Sequence, residues 1–170
     1  MENLPSKLLN RKAKHDSPLQ NPATTIAALS PETSMQMPTT PDGFPHHKKA
    51  PWSMPKGFRI MIKGEISTDG GKTYRSFKSG ERIPKGAQLN FIPINPIMTD
   101  GKYYWQITNT GEEARAVGRL RGDDFECSNT QLDMRIEHST YTGRHYLQCF
   151  YVDGNDCLAC SKPFVVDIVD

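Results

Sequence analysis

The chain has 170 residues, a formal net charge of +2 and four cysteines, which allows one ordinary domain, or a smaller one with a tail. So small a charge gives little drive toward nucleic acid or an anionic membrane, and no apolar run in the sequence is long enough to span a bilayer. The opening "MENLPSKLLNRKAKHD" lacks an apolar stretch leading to a small-residue cleavage site, so a cytoplasmic protein with reduced thiols is expected.

Composition changes near residue 55. Nine of the 13 prolines lie before residue 56, whereas Phe44 and Trp52 are the only aromatics there. "LSPETSMQMPTTPDGFPHHKKAPW" buries too little apolar area to offset its backbone entropy, so residues 1–55 read as a flexible arm or linker. A short helix near 5–15 is compatible with "PSKLLNRKAKH", although alone it would be marginal in length. "PWSMP" marks where the chain docks onto the folded part, because a lone tryptophan between prolines is wasted in a free linker.

From residue 56 to 170 the pattern is short strands punctuated by turns. "FRIMIKGEI" alternates, and the Asp-Gly-Gly of "TDGGKTY" signals a hairpin. Turns follow at Ser79-Gly80 and Pro84-Lys85-Gly86, and the next strand ends near Pro96. "YYWQITNT" is a further strand. "LDMRIEHSTY" and "RHYLQCFYV" flank Thr142-Gly143, and Asp153-Gly154-Asn155-Asp156 turns the chain into "CLACSKPFVVDIV". No segment makes a convincing amphipathic helix. Seven or eight strands with turns at this spacing predict an all-β fold, an immunoglobulin-like antiparallel β-sandwich.

Four chemistries are weighed on these residues. Cys127, Cys149, Cys157 and Cys160, with His138 or His145, could supply zinc ligands. Only one close cysteine pair exists, however, and Cys157 and Cys160, three apart on a strand, should face opposite ways. They read as structural thiols, and no metal or cofactor is expected. Ser139 with His138 or His145 and Glu137 or Asp123 lacks the strand-turn-helix setting of a nucleophile elbow. "DGGK" has the wrong spacing for a phosphate-binding loop. The most open possibility is a patch of Arg115, Arg119, Arg121, Arg135 and Arg144 near Tyr103, Tyr104, Trp105 and Tyr141, since arginines with aromatics bind phosphates and stack bases.

The turn "GRHYLQC" has a second reading. In immunoglobulin-like sandwiches a tyrosine two residues before a central cysteine pins the neighbouring turn through its hydroxyl. Here His145 takes the tyrosine place and Leu147 the cysteine place. An imidazole can donate from one nitrogen and accept at the other, so His145 reads as a corner lock, with Gly143 supplying the backbone freedom the turn needs.

These stretches, "WQITNTGEEA" (105–114), "LRG" (120–122), "RIEHSTYTGRH" (135–145), "LQCFYV" and "CLACSKPFVVDIV", resemble the adenylyl/guanylyl and SMODS C-terminal sensor domain over about residues 50 to 170. The resemblance implies an immunoglobulin-like domain of bacterial anti-phage signalling systems. There it is usually fused behind a cyclic-oligonucleotide synthase or a nucleotide cyclase, where it senses a nucleotide or infection-derived ligand. Nothing before residue 56 could carry the paired metal-binding aspartates of a nucleotidyltransferase. A non-catalytic sensor is therefore expected, acting in trans on a synthase, cyclase or effector; a remnant of a split synthase gene is the alternative origin.

The expected ligand contacts are Arg121, Glu137, Arg144 and Tyr141. The expected structural residues are Trp105, packed in the core, with Asn109, Gly111, Gly122, Gly143 and His145 shaping turns. Arg121 and Glu137 would pair across neighbouring strands if buried and meet a ligand if exposed. Two rival functions stand beside this one: a protein-interaction module without a small ligand, and a weak single-stranded nucleic-acid binder.

Overall fold

The computed structural model describes residues 39–94, 100–128, 130 and 132–170; the helix expected near 5–15 and the strand end at Pro96 lie outside the described residues. Ten strands follow one another: β1 (Phe58–Ser67), β2 (Arg75–Phe77), β3 (Arg82–Pro84), β4 (Gln88–Ile94), β5 (Lys102–Thr108), β6 (Glu126–Cys127), β7 (Arg135–His138), β8 (Gly143–Asp153), β9 (Asp156–Ser161) and β10 (Phe164–Val169). The fold is therefore nearly all β.

Two pairing sets share β1. Its first residues pair with β9, and its remainder pairs with β2 and β4, with β7 beyond β4. On the other side, β8 pairs along one edge with β5 and along the other with β10 and then β9. The predicted hairpin forms: Asp69 accepts from the Lys72 and Thr73 amides and from the Ser67 and Thr73 hydroxyls, closing the loop between β1 and β2.

The expectation of a purely antiparallel arrangement is corrected, because β1–β9 and β3–β10 run parallel. Hairpin turns impose antiparallel order only on strands they join directly, and these pairs meet from distant parts of the chain. Among the described residues, besides a 3-10 turn at Pro41–Gly43, a short α-helix also forms, α1 (Glu112–Ala116). Its five residues are too few to show a helical period in the sequence.

Period-two alternation sorts the side chains. Tyr103, Trp105 and Ile107 of β5 pair with Tyr151, Cys149 and Leu147 of β8. All six join Ile60, Ile66, Phe77, Leu89 and Phe91 in the main core. The alternate row, Tyr104, Gln106 and Thr108 against Phe150, Gln148 and Tyr146, faces the other way. It is covered in turn by residues 41–53, a strap drawn from the segment read as linker. Trp52 lies 5.0–5.7 Å, centroid to centroid, from Tyr104, Phe125 and Phe150, and Phe44 lies 5.8 Å from Tyr146. Both faces of β5 and β8 are thus buried, which explains their near-continuous apolar runs.

A bulge in β9 corrects the cysteine geometry. Tyr151 pairs with Ala159 but Val152 pairs with Cys157, so Leu158 is the extra residue. The parity shift turns Cys157 and Cys160 to the same side, packed with Phe150 and Val152. Burial raises the pKa of Cys157 to about 11 and pushes that of Cys160 upward. These thiols stay protonated and serve as small apolar groups.

Candidate functional site

A cavity of about 400 Å³ opens where β4 and β7 face β5, β8 and β10. Its floor is apolar, with Leu89, Ile107 and Val166 among its lining. Its rim is polar, carrying Asn109, Arg119, Arg121, Glu137 and Tyr141. Ligand pockets of about 300–1,000 Å³ with an apolar body and a few convergent polar groups are the usual form of small-molecule sites.

The rim is built from one strand, β7, and three connecting segments, which carry Asn109, Arg119 with Arg121, and Tyr141. Glu137 and Arg135 of β7 pair in register with Leu89 and Phe91 of β4. They therefore project to the same inward side. Arg121 comes from the segment between α1 and β6. Glu126 completes a closed ring of ion pairs: Arg121 lies 2.6 Å from Glu126 and 3.2 Å from Glu137, and Arg135 lies 2.6 Å from each of the same two carboxylates. Burial works against the charge on Arg121, but Glu137 and Glu126 more than offset it and raise its pKa. For Glu126, too, the two guanidiniums outweigh desolvation and hold the carboxyl below its usual value. Arg135 is 6% exposed, so its charge is supported by the two carboxylates of the ring and by the Cys127 carbonyl, 3.5 Å from its Nη1. Arg121 is only partly buried and presents an edge to the cavity.

His145 closes one end of the cavity at 5% exposure. Its Nε2–H donates to the Tyr141 carbonyl at 2.8 Å, and its Nδ1 accepts the Thr110 amide at 3.1 Å. The carbonyl partner fixes the tautomer, and burial lowers the ring's pKa against weaker opposing effects from Tyr141 and Asp167. This neutral ring joins the turn after β5 to the turn before β8. Backbone approach at the same junction explains two glycines. A Cβ on Gly111 (φ 100°) would lie 2.7 Å from the Thr142 carbonyl oxygen, and one on Gly143 (φ 123°) 3.2 Å from that of Thr110. Glu113 of α1 ties the corner further: it accepts from the Thr142 amide and hydroxyl and pairs with Lys85. The Lys85 bond leads the causes that pull its pKa down to about 2.

The other expected residues fall in definite places. Trp105 is 1% exposed, and its indole N–H donates to Ser128. Asn109 holds the Arg119–Arg121 segment, its amide donating to the Arg121 carbonyl and its side chain to that of Arg119. Gly122 accommodates the strap, since a Cβ there would lie 2.8 Å from the His46 carbonyl oxygen. Arg144 is not at the cavity. Next to inward-facing His145, it points outward and lies 3.7 Å from Asp167.

The broad arginine–aromatic patch is dispersed by the fold. Tyr103 and Trp105 lie in the core, Tyr104 sits under Trp52, and Arg115 pairs with Glu112 on the surface. Arg119, Arg121 and Tyr141 alone of that group share the cavity. Ser139 is fully buried, its hydroxyl donating to the Pro84 carbonyl and accepting the Ala87 amide, so it pins the β3–β4 turn. Glu126 and the strap histidines were absent from the sequence-based candidates. The opposite charges of Arg135 and Glu137 at i and i+2 were the one visible signal, since such residues share a strand face.

These features define a small β-domain with a ligand-sized, charge-rimmed cavity roofed by a neutral histidine. Residues 42–169, from the strap to the end of β10, match the adenylyl/guanylyl and SMODS C-terminal sensor domain, and the chain belongs to that family. A cytidylate cyclase of Staphylococcus aureus is 29% identical over 100 residues, covering 57% of this chain and 23% of the cyclase. The match thus spans under a quarter of the cyclase's length. No helix among the described residues is long and apolar enough to cross a membrane.

Proposed function

We propose that this protein is a non-catalytic sensor that binds an anionic, nucleotide-like ligand in the cavity and regulates a nucleotide cyclase or cyclic-oligonucleotide synthase in trans. The setting we infer is cytoplasmic, in a bacterial anti-phage signalling system, and the fold we infer is a variant of the immunoglobulin-like sandwich. One observation carries the reading. The cavity of about 400 Å³ combines an apolar floor with two guanidiniums at the rim, Arg119 and Arg121, and the hydrogen-bonding groups of Asn109 and Tyr141. An apolar floor suits a base, and the exposed Arg119 guanidinium, together with an Arg121 held in place by Glu126 and Glu137, suits a phosphate. Family membership and the similarity to a cyclase support the partner class.

Thermal denaturation of the purified chain against cyclic and linear nucleotides tests the ligand. A ligand selective for the folded state raises the melting temperature by mass action, by about 2.7 kcal/mol of stability at a hundredfold excess over Kd. The rise should vanish in Arg121→Ala and persist in Arg144→Ala. Co-purification of a cyclase or synthase tests the partner. No shift with any nucleotide would refute the ligand, and a shift untouched by Arg121→Ala would move it elsewhere.

A further inference from the structure

The segment 119–122 has two sides. Toward the cavity it presents the side chains of Arg119 and Arg121. Away from the cavity its backbone carries the strap: the Lys48 amide donates to the Gly122 carbonyl at 2.9 Å. Gln106, buried beneath, donates to both Gly122 and Lys48 carbonyls at 2.7 and 2.8 Å. Asn109 belongs to both sides. It lines the cavity and holds the carbonyls of Arg119 and Arg121, while its own carbonyl accepts from His46 Nε2 at 2.9 Å. His47 is tied to Thr108 at 2.8 Å, and the far end of the strap is anchored by Trp52 in an aromatic nest. Among the described residues, the polar links from the strap to β5 and its following turn thus fall at Gln106, Thr108 and Asn109, within three residues of the cavity rim.

We propose that the strap, residues 41–53, is the output element of the cavity. An anionic group bridging Arg119 and Arg121 clamps both ends of the segment that Asn109 holds, and this tightens the strap through Gly122 and His46. The proposal rests on the ligand reading above for the nature of the occupant, but the mechanical link between rim and strap exists without one. Coupling is reciprocal: if the ligand stabilises the strap, loosening the strap must weaken the ligand by the same factor.

Hydrogen–deuterium exchange of the full chain, with and without inorganic pyrophosphate as the anionic probe, gives the test. Without probe, Trp52→Ala should speed exchange in residues 41–53 and also in residues 106–122, leaving β10 unchanged. His46→Ala, which removes the link to Asn109 and one ring contact with Phe44, should do the same to a smaller degree. If the strap is freed while residues 106–122 exchange as in the wild type, the proposal is overturned. With probe, strap exchange should slow several-fold in the wild type, and Trp52→Ala should weaken pyrophosphate binding by a matching factor. Binding that leaves strap exchange unchanged, or that is unaffected by Trp52→Ala, also overturns the coupling. Absence of pyrophosphate binding would count against the ligand reading, while the probe-free comparison still decides the link.

Discussion

Replacing His145 by alanine removes two hydrogen bonds whose partners stay behind. The Thr110 amide belongs to a residue 1% exposed, so it bears the full cost of an unmet donor, about 1–3 kcal/mol. The Tyr141 carbonyl belongs to a half-buried residue and can recover water from the adjoining cavity, which puts its cost near the low end of that range, about 1 kcal/mol. The sum is about 2–4 kcal/mol, or a fall in melting temperature of about 10 °C for a folded unit of this size. Urea unfolding at pH 7.5, followed by tryptophan fluorescence, measures it.

The same residue carries a pH signature. Burial lowers the folded-state pKa of His145 from 6.5, so the unfolded chain takes up the proton first. Its contribution is complete above pH 6.5 and is lost as pH falls below that value toward the folded pKa. The stability gap between wild type and His145→Ala should therefore be widest at pH 7.5 and shrink toward pH 5. A midpoint unchanged by the substitution, or a gap that grows on acidification, would refute the corner-lock account.

Four further outcomes are expected. Gly111→Ala should destabilise by at least about 2 kcal/mol in chemical denaturation, because positive φ and a backbone oxygen at 2.7 Å oppose the methyl group. Arg135→Ala should cost about 1–3 kcal/mol, since Glu126 and Glu137 lose their most buried counter-ion but keep Arg121, and thermal denaturation checks this. Arg144→Ala should stay within about 0.5 kcal/mol by the same assay, its pair with Asp167 being long and partly exposed. Wild-type stability should fall in two stages on acidification. The first lies below pH 6.5 as His145 and His47, both lowered chiefly by burial, take up protons. The second lies between pH 4.5 and about 2 as Glu113 is protonated.

Much of the architecture was legible because strand alternation and glycine-bearing turns are local signals. The Asp69 loop and the strands on either side of residues 139–142 follow from residues close in sequence. Parity also separates His145 from Arg144 without any coordinates, and only the choice of which row faces inward needed the fold. The linker reading of residues 41–53 shows the limit. Their composition cannot support a core, yet Trp52, Phe44, His46 and His47 become ordered against the outer row of β5 and β8. A segment that borrows its partner surface from elsewhere carries no internal pattern to read.

The cysteines mark the same boundary from the other side. Their spacing implied opposite faces, and the bulge at Leu158 reversed that conclusion, because one extra residue inverts every side chain after it.

By itself the sequence determined that this is a β-rich domain with strands on either side of the connection at residues 139–142, a buried Trp105 and a histidine suited to lock a corner. Those properties depend on alternation, residue volume and backbone freedom, all of which act over a few residues. Tertiary structure decided the parallel pairings, the strap and the closing of Arg121, Glu126, Arg135 and Glu137 into one ion-pair ring, of which Arg121 and Glu137 reach the cavity. Those depend on which distant strands become neighbours, and that is set by burying the whole chain's apolar surface at once.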